Sequence, residues 1–319
     1  MSSLLRSIRF PQYAASGWPD PQPETEVWLR GAGDPLNVTH NNSVASLRPL
    51  MIGVMLPRNC ARQTSGGKLR LCFYERGRSK RLLGEIRLRL AREILLPEHK
   101  FCLFRPAGCR NYCLNAFTRP LYYLRESVRA RRQQRKNPHN FWMEPRDLRC
   151  LFVFYICPRP VVLVSVKHEG AGNIFPMDLI GPTDSPWFSM ALRSTSPAVR
   201  LMQSSKRMAL ASIPLSYKPV AYELGKHHKQ SSIDWGALSF PTTPSALFGL
   251  PVPAAALRIR EVEVREYHEV GSHVLFMTSI VNEQTPDRAP RENDALPMFH
   301  VHGSYREYLR RSGCSIVEA

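Results

Sequence analysis

The chain has 319 residues and a formal net charge of +18, from 44 Lys and Arg against 26 Asp and Glu. This length is sufficient to bury a sizeable core in one large domain or two small ones. No apolar run reaches the length of a membrane-spanning helix, and the first residues lack the continuous apolar stretch of a signal peptide. We therefore expect a cytoplasmic protein with free thiols and no membrane partner.

The positive charge is concentrated in the first part of the chain. Residues 1–150 hold 27 Lys and Arg against 11 Asp and Glu, whereas residues 151–319 hold 17 against 15. Six of the eight cysteines also lie in the first part, and none is spaced as a zinc-binding CxxC pair. This change in composition predicts a basic N-terminal extension over 1–137 and a separate domain over 138–319.

Within the extension, residues 1–65 are rich in Pro, Gly, Asn and Ser, which predicts disorder or loop. Apolar residues at helical spacing, Leu82, Leu83, Ile86, Leu90 and Ile94, predict an amphipathic helix over 79–96. A second helix is predicted over 121–136, where it ends at RARRQQRK before Asn137-Pro138. Nucleic-acid binding by these basic helices is the more remote alternative, because no aromatic platform or known nucleic-acid motif accompanies the charge.

The second part of the chain has the composition of a β-protein. Apolar runs predict strands over 151–157, 161–166, 187–192, 207–213, 256–264 and 273–281. A shift in the alternation within 256–264 indicates a β-bulge. Two short helices are predicted over 197–206 and 217–228. Many short strands with few helices favour an antiparallel barrel over a parallel sheet.

The junction MALRSTSPAVRLM at 190–202 is the first candidate site. Ser196 is a favourable helix N-cap, and Pro197 is a favourable first helical residue. The N-terminus of such a helix carries partial positive charge, so Arg193 and the hydroxyls of Ser194 and Thr195 would complete a site for a phosphate monoester. An ordinary capped helix has the same pattern, so these residues alone leave both interpretations open.

The order of several segments resembles one family. Pro158-Arg159-Pro160 precedes a predicted hairpin with Gly170 and Gly172 at its turn and Asn173-x-x-Pro176 in its second strand. SPWFSMALRSTSPAV, FGLPVPAAALRIREVEV, VGSHVLFMTSIV and HVHGSYREY follow in the same order as in the flavin reductase-like family of FMN-binding split barrels. The resemblance covers about residues 138–319. It implies a mainly β, antiparallel, Greek-key split β-barrel with two short helices, preceded by a basic, partly helical or disordered region.

The resemblance also implies a cofactor, FMN, with FAD as the alternative. Its ring and phosphate would contact two groups of residues: Asn173, Phe175, Pro176, Met177 and Asp178, and then Arg193, Ser194, Thr195 and Ser196. Asp178 departs from the family, which commonly has a hydroxyl residue there. A carboxylate repels a phosphate unless it points elsewhere or pairs with a base such as Arg193.

The implied function is an NAD(P)H-dependent flavin reductase with NADH or NADPH as co-substrate. The alternative is an FMN-binding electron-transfer or oxidase-type protein without NAD(P)H activity. Because the flavin carries the chemistry, no catalytic side chain is required. His273 could contact the nicotinamide or be an ordinary edge-strand histidine.

Other side chains point to no further cofactor. Trp187 and Trp235 could stack on a ring, although core packing is the commoner role of such residues. His300 and His302 share a strand face but lack a third ligand, so no metal is expected. The resemblance implies a homodimer, and a flavin-dependent monooxygenase is the partner class that would accept reduced flavin.

Overall fold

The computed structural model of the chain describes residues 13–22, 24–31, 33–60, 69–77, 80–136, 142–182, 187–286, 296–313 and 317–318. The strands of the first part are β1 (Tyr13–Gly17), β2 (Thr25–Arg30), β3 (Leu36–Asn37), β4 (Asn42–Leu47), β5 (Leu50–Pro57), β6 (Arg70–Glu75), β7 (Leu82–Leu95) and β8 (His99–Asn111). The strands of the second part are β9 (Arg159–Pro160), β10 (Val162–His168), β11 (Ala171–Met177), β12 (Ile180–Pro182), β13 (Trp187–Arg193), β14 (Arg207–Ser212), β15 (Thr242–Pro244), β16 (Pro251–Pro253), β17 (Arg258–Val270), β18 (His273–Gln284), β19 (Met298–His302) and β20 (Val317–Glu318). The α-helices of the described residues are α1 (Thr118–Lys136), α2 (Pro145–Phe154), α3 (Ala198–Ser205), α4 (Lys218–Leu224) and α5 (Gly303–Arg311).

Two seven-stranded antiparallel sheets dominate the fold. The first has the strand order β3-β2-β6-β7-β8-β5-β4, and the second has the order β11-β10-β14-β17-β18-β13-β12. A four-stranded sheet, β20-β1-β19-β9, joins the beginning of the described chain to its end. The prediction of a mainly β, antiparallel split-barrel fold is confirmed.

The first sheet differs from the sequence expectation. The helix predicted over 79–96 is wrong, because this run is the strand β7. Ile86 and Leu88 are buried while Arg87 points outward, so the run also has the period of two that a strand requires. Pairing with β6 and β8 on either side selects the strand over the helix.

The disorder or loop predicted over 1–65 is also wrong for residues 13–57, which form β1 to β5. Residues 1–12, 23, 32 and 61–65 lie outside the described residues. The turn residues in this region belong to the tight connections between short strands. These strands are buried by residues that are distant in the sequence. The helix predicted over 121–136 is confirmed by α1.

In the second part, one predicted strand is wrong and the other five are confirmed. LFVFYIC at 151–157 lies in and just after helix α2, where Phe152 and Phe154 are fully buried. A short, wholly apolar run has no periodicity that separates a helix from a strand. The ladder of β17 and β18 shifts register beside Val262, as the alternation indicated, but the extra residue there is Val281 of β18. Both short helices are also present, as α3 and as α4 followed by the 3₁₀ turn Gly225–Lys229.

The hydrophobic core is continuous across the predicted boundary at residue 137. One apolar cluster combines residues of the first sheet with residues of α2, β19 and α5, including Phe73, Phe154 and Phe299. A second cluster lies between the two large sheets and contains Met55 and Phe101 together with residues of β13, β17 and β18. The boundary itself stays a prediction.

Candidate functional site

A cavity of about 610 Å³ lies beside the ends of β11 and β13. Its lining residues are Tyr13, Leu47, Leu151, Tyr155, Pro176, Met177, Asp178, Leu179, Ala191, Leu192, Arg193, Thr195, Ser196, Pro197, Gly225, His228, Lys229 and His273. The lining combines apolar side chains with the cationic Arg193 and Lys229, the carboxylate of Asp178 and several hydroxyl groups. This volume is within the usual range for sites that bind small molecules or cofactors.

The junction at 190–202 forms one wall of this cavity. Arg193 is the last residue of β13, and Thr195, Ser196 and Pro197 connect it to α3. The predicted side-chain cap is wrong, because the Ser196 hydroxyl donates to the backbone carbonyl of His228 at 2.8 Å instead of accepting from the first turn of α3. Ser196 therefore holds the turn that carries His228 against the start of α3.

His273 lies directly beside Arg193, since β13 and β18 pair in that register. The residue is 1% exposed, and its Nδ1 lies 2.9 Å from the Ser272 hydroxyl. Burial, together with the positive charge of Arg193, lowers the pKa of His273 to about 4. The imidazole is therefore neutral at neutral pH, and Arg193 carries the positive charge of this pair.

Asp178 is not paired with Arg193, which corrects that suggestion from the sequence. Its Oδ2 accepts from the Tyr155 hydroxyl at 2.9 Å and lies 2.8 Å from Nδ1 of His300. Burial alone would raise the pKa of Asp178, but the hydrogen bond and charge of His300 and the hydrogen bond from Tyr155 lower it below its usual value. The carboxylate is therefore ionised and bound by two groups of the protein.

The chain matches the family model of the flavin reductase like domain over residues 154–309. Residues 154–309 belong to the flavin reductase-like family. This match supports a flavin-dependent oxidoreductase. A search of curated proteins finds no match.

Solved structures with this likeness have low identity. The FMN-binding protein from Thermus thermophilus with bound p-hydroxybenzaldehyde has 21% identity over 46% of this chain and 87% of its own, with a TM-score of 0.38. Component B of nitrilotriacetate monooxygenase from Mycobacterium thermoresistibile has 20% identity over 48% of this chain and 82% of its own, with a TM-score of 0.39. The NADH:FAD oxidoreductase of Streptomyces globisporus has 15% identity over 52% of this chain and 95% of its own, with a TM-score of 0.42.

The structure places six of the nine predicted cofactor residues of this flavin reductase-like domain around the cavity. These are Pro176, Met177, Asp178, Arg193, Thr195 and Ser196. The other three lie outside the lining. The side-chain amide of the fully buried Asn173 donates to the carbonyls of His227 and Gln230, Phe175 is buried in the core, and Ser194 donates to the carbonyl of Ser272.

Sequence reasoning missed the second wall of the cavity. Tyr155 follows α2, and it was not a candidate because 151–157 had the pattern of a strand. His228 and Lys229 belong to a basic cluster, KHHK, that could have been a signal for an anion site. His228 Nε2 donates to the carbonyl of Pro176 at 2.9 Å, which fixes this turn against β11.

The remaining candidate residues of the domain have structural contacts. His302 is fully buried, with Nδ1 2.6 Å from the Ser304 hydroxyl and Nε2 3.1 Å from the hydroxyl of Tyr122. Trp235 packs on Gly172 of the β11 hairpin, and Trp187 packs beside the cluster between the sheets. Within the part of the chain that the structure describes, no three metal-ligating side chains form a group, and no helix is long and apolar enough to cross a membrane.

Proposed function

We propose that the chain is an NAD(P)H-dependent flavin reductase that binds FMN in the cavity beside β11 and β13. One observation carries this proposal: Arg193, Thr195 and Lys229 line the same cavity as Pro197 at the start of α3, together with many apolar side chains. The bound flavin would supply the hydride and electron transfer.

The residues present fit a flavin phosphate. Arg193 is exposed at the cavity, where partial desolvation lowers its pKa, and a phosphate bound there would form a charge-assisted interaction with its guanidinium. The first turn of α3 adds positive potential at the same place. Asp178 does not oppose the phosphate as a free carboxylate would, since the Tyr155 hydroxyl and His300 engage its Oδ2.

The chain's other residues would position the ring and the co-substrate. Pro176 and Met177 end β11 at the cavity and would lie along the flavin ring. The neutral His273 would contact the nicotinamide without adding charge to the site. FAD is the alternative flavin, and a flavin-dependent monooxygenase is the partner class that we propose for the reduced product. The homodimer stays a prediction.

The absorption spectrum of the purified protein tests the flavin. We expect bound or added FMN to give the yellow oxidised spectrum, and anaerobic NADH or NADPH to bleach it. A protein that takes up neither FMN nor FAD would refute the proposal. Flavin that binds but is not bleached would select the alternative of an electron-transfer or oxidase-type protein.

Substitution at the cationic wall tests the site. Arg193→Gln removes one charge-assisted interaction, which is typically about 1.5–3 kcal/mol, so the Kd for FMN should rise about tenfold to a hundredfold. Arg200→Gln is the matched control, because Arg200 is an exposed arginine of α3 that does not line the cavity. Equal FMN affinity in the two variants would exclude Arg193 as the phosphate ligand.

A further inference from the structure

The two seven-stranded sheets have the same topology. Taken in chain order, the strands of the two sheets correspond one to one: β2 to β10, β3 to β11, β4 to β12, β5 to β13, β6 to β14, β7 to β17 and β8 to β18. With these correspondences the two strand orders are identical. All neighbouring pairs in both sheets are antiparallel. The segment that contains β15 and β16 is an insertion in the second copy.

The long hairpin of each sheet also has the same irregularities. In β7 and β8 the ladder skips Ala107 on the second strand, continues through three residue pairs, and then skips Ala91 on the first strand. In β17 and β18 it skips Val281 on the second strand, continues through three pairs, and then skips Arg265 on the first. Two bulges at equivalent places are structural features that unrelated sheets would not share by chance.

Equivalent residues of the two sheets also meet each other. In the first sheet Ser43 pairs with Gly53, and in the second sheet Gly181 pairs with Ser189. The correspondence of the strands makes Ser43 equivalent to Gly181 and Gly53 equivalent to Ser189. A Cβ added at Gly181 would lie 2.7 Å from the Cβ of Ser43, and the hydroxyls of Ser43 and Ser189 are 2.8 Å apart. Contact between equivalent residues is the mark of a two-fold axis.

The apolar cluster between the sheets follows the same symmetry. It contains three pairs of positions that the ladders make equivalent: Met55 with Ala191, Phe101 with Leu275, and Leu103 with Met277. An interface in which each side contributes the same positions is isologous, as in a two-fold homodimer. Here both sides belong to one chain.

The two copies differ at the site. Arg193 pairs with His273 at the cavity, and the ladders place Pro57 and His99 at the equivalent positions of the first copy. The connection between β14 and β17, residues 213–257, supplies Gly225, His228 and Lys229 to the cavity, whereas β6 and β7 are joined by residues 76–81 alone. Among the described residues, the first copy therefore has no cation at the position equivalent to Arg193 and no counterpart of the second wall. Instead, its Leu47 lines the cavity of the second copy.

We propose that residues 25–111 are a second copy of the split-barrel sheet that replaces a partner subunit, so that one chain alone builds one complete flavin site. The first copy contributes the wall at Leu47 and no second site. This inference replaces the homodimer that the family resemblance implies. The expectation of one flavin per chain rests on the proposed function, whereas the expectation of a single-chain particle does not.

Sedimentation and flavin titration test the inference on the full chain. We expect a particle of one chain, 36.4 kDa, across a hundredfold range of concentration, and one FMN per chain at saturation. A stable two-chain particle, or two FMN per chain, would overturn the inference. If the protein sediments as one chain but binds no flavin, the built-in partner stands and the proposed function fails.

A charge introduced in the first copy tests its contribution to the site. Leu47→Glu places a carboxylate in the cavity wall and should weaken FMN binding at least tenfold. The protein should still sediment as a particle of one chain. Leu95→Glu is the matched control, since Leu95 lies in the same sheet and is exposed. Leu47→Ala, with a melting curve for each variant, separates loss of the wall from loss of folding. Wild-type FMN affinity in a folded Leu47→Glu protein would refute the contribution of the first copy.

Discussion

Acid should destabilise the protein through His302, which joins three parts of the fold. The imidazole is fully buried and stacks on Phe152 of α2 at 4.3 Å between ring centroids. Nδ1 accepts from the backbone N–H of Ser304 at 3.2 Å, so the proton is assigned to Nε2, which lies against the hydroxyl of Tyr122 in α1. Burial lowers the pKa of His302 to about 3.

The size of the effect follows from the difference between the folded and unfolded states. The unfolded imidazole binds a proton below about pH 6.5, whereas the folded one stays neutral down to about pH 3. Between these values the unfolded state holds more protons, so the free energy of unfolding decreases as the pH falls and levels off below the folded pKa. From about pH 7 to about pH 5, the contribution of this one residue decreases by about 2 kcal/mol. This corresponds to a decrease in Tm of about 3 °C.

Thermal and urea unfolding of the wild type and His302→Gln at both pH values would measure this effect. The variant lacks the titrating group, so its stability should decrease by about 2 kcal/mol less than that of the wild type over the same pH interval. Phe152→Leu is the control, because it loosens the same packing and keeps the imidazole. If His302→Gln and the wild type lose the same stability on acidification, the buried neutral imidazole is not the cause.

Three further predictions concern other parts of the fold. Asp178→Asn removes a carboxylate held by His300 and Tyr155 and should lower the free energy of unfolding by about 1–3 kcal/mol at neutral pH. Since the folded pKa of Asp178 is below its usual value, the difference from wild type in urea unfolding should shrink in acid, and a constant difference would contradict the assignment. Cys109 should react with iodoacetamide faster than the other thiols that the structure describes, because a hydrogen bond from Cys150 and neighbouring arginines lower its pKa. Peptide mapping by mass spectrometry measures this, and slower labelling than at Cys60 would refute it. Gly181→Ala should cost about 1–3 kcal/mol by overpacking against Ser43. Ser43→Gly should recover part of that loss in a double-mutant cycle, and strict additivity would exclude the contact.

The sequence predicted the second sheet and part of the cavity wall for local reasons. Val162–His168, Trp187–Arg193 and His273–Gln284 are apolar runs that contain β-branched or aromatic residues and are flanked by turn residues, so each strand can be recognised from its own residues. The junction from Arg193 to Ser196 was found because a hydroxyl residue and a proline before an apolar helical repeat are a local signal.

Ser196 shows where that local signal stops. Its hydroxyl could have capped α3, but it donates to the carbonyl of His228, which is distant in the sequence. In the same way, His300 reaches Asp178 from β19. Which donor meets which acceptor depends on how the elements pack, and no spacing in the sequence encodes it.

The first sheet was decided by tertiary structure alone. The run that forms β7 satisfies both the helical and the strand period, and pairing with β6 and β8 selects the strand. The repeat of the sheet is hidden for a related reason. Equivalent positions such as Pro57 and Arg193, or Phe101 and Leu275, have the same backbone pairing and similar burial. Their side chains, however, are mostly of different types. The sequence by itself determined the apolar pattern and the local signals of the second sheet. Only the tertiary structure determined that the basic first part folds as its counterpart, because that choice depends on hydrogen bonds and apolar contacts between residues far apart in the chain.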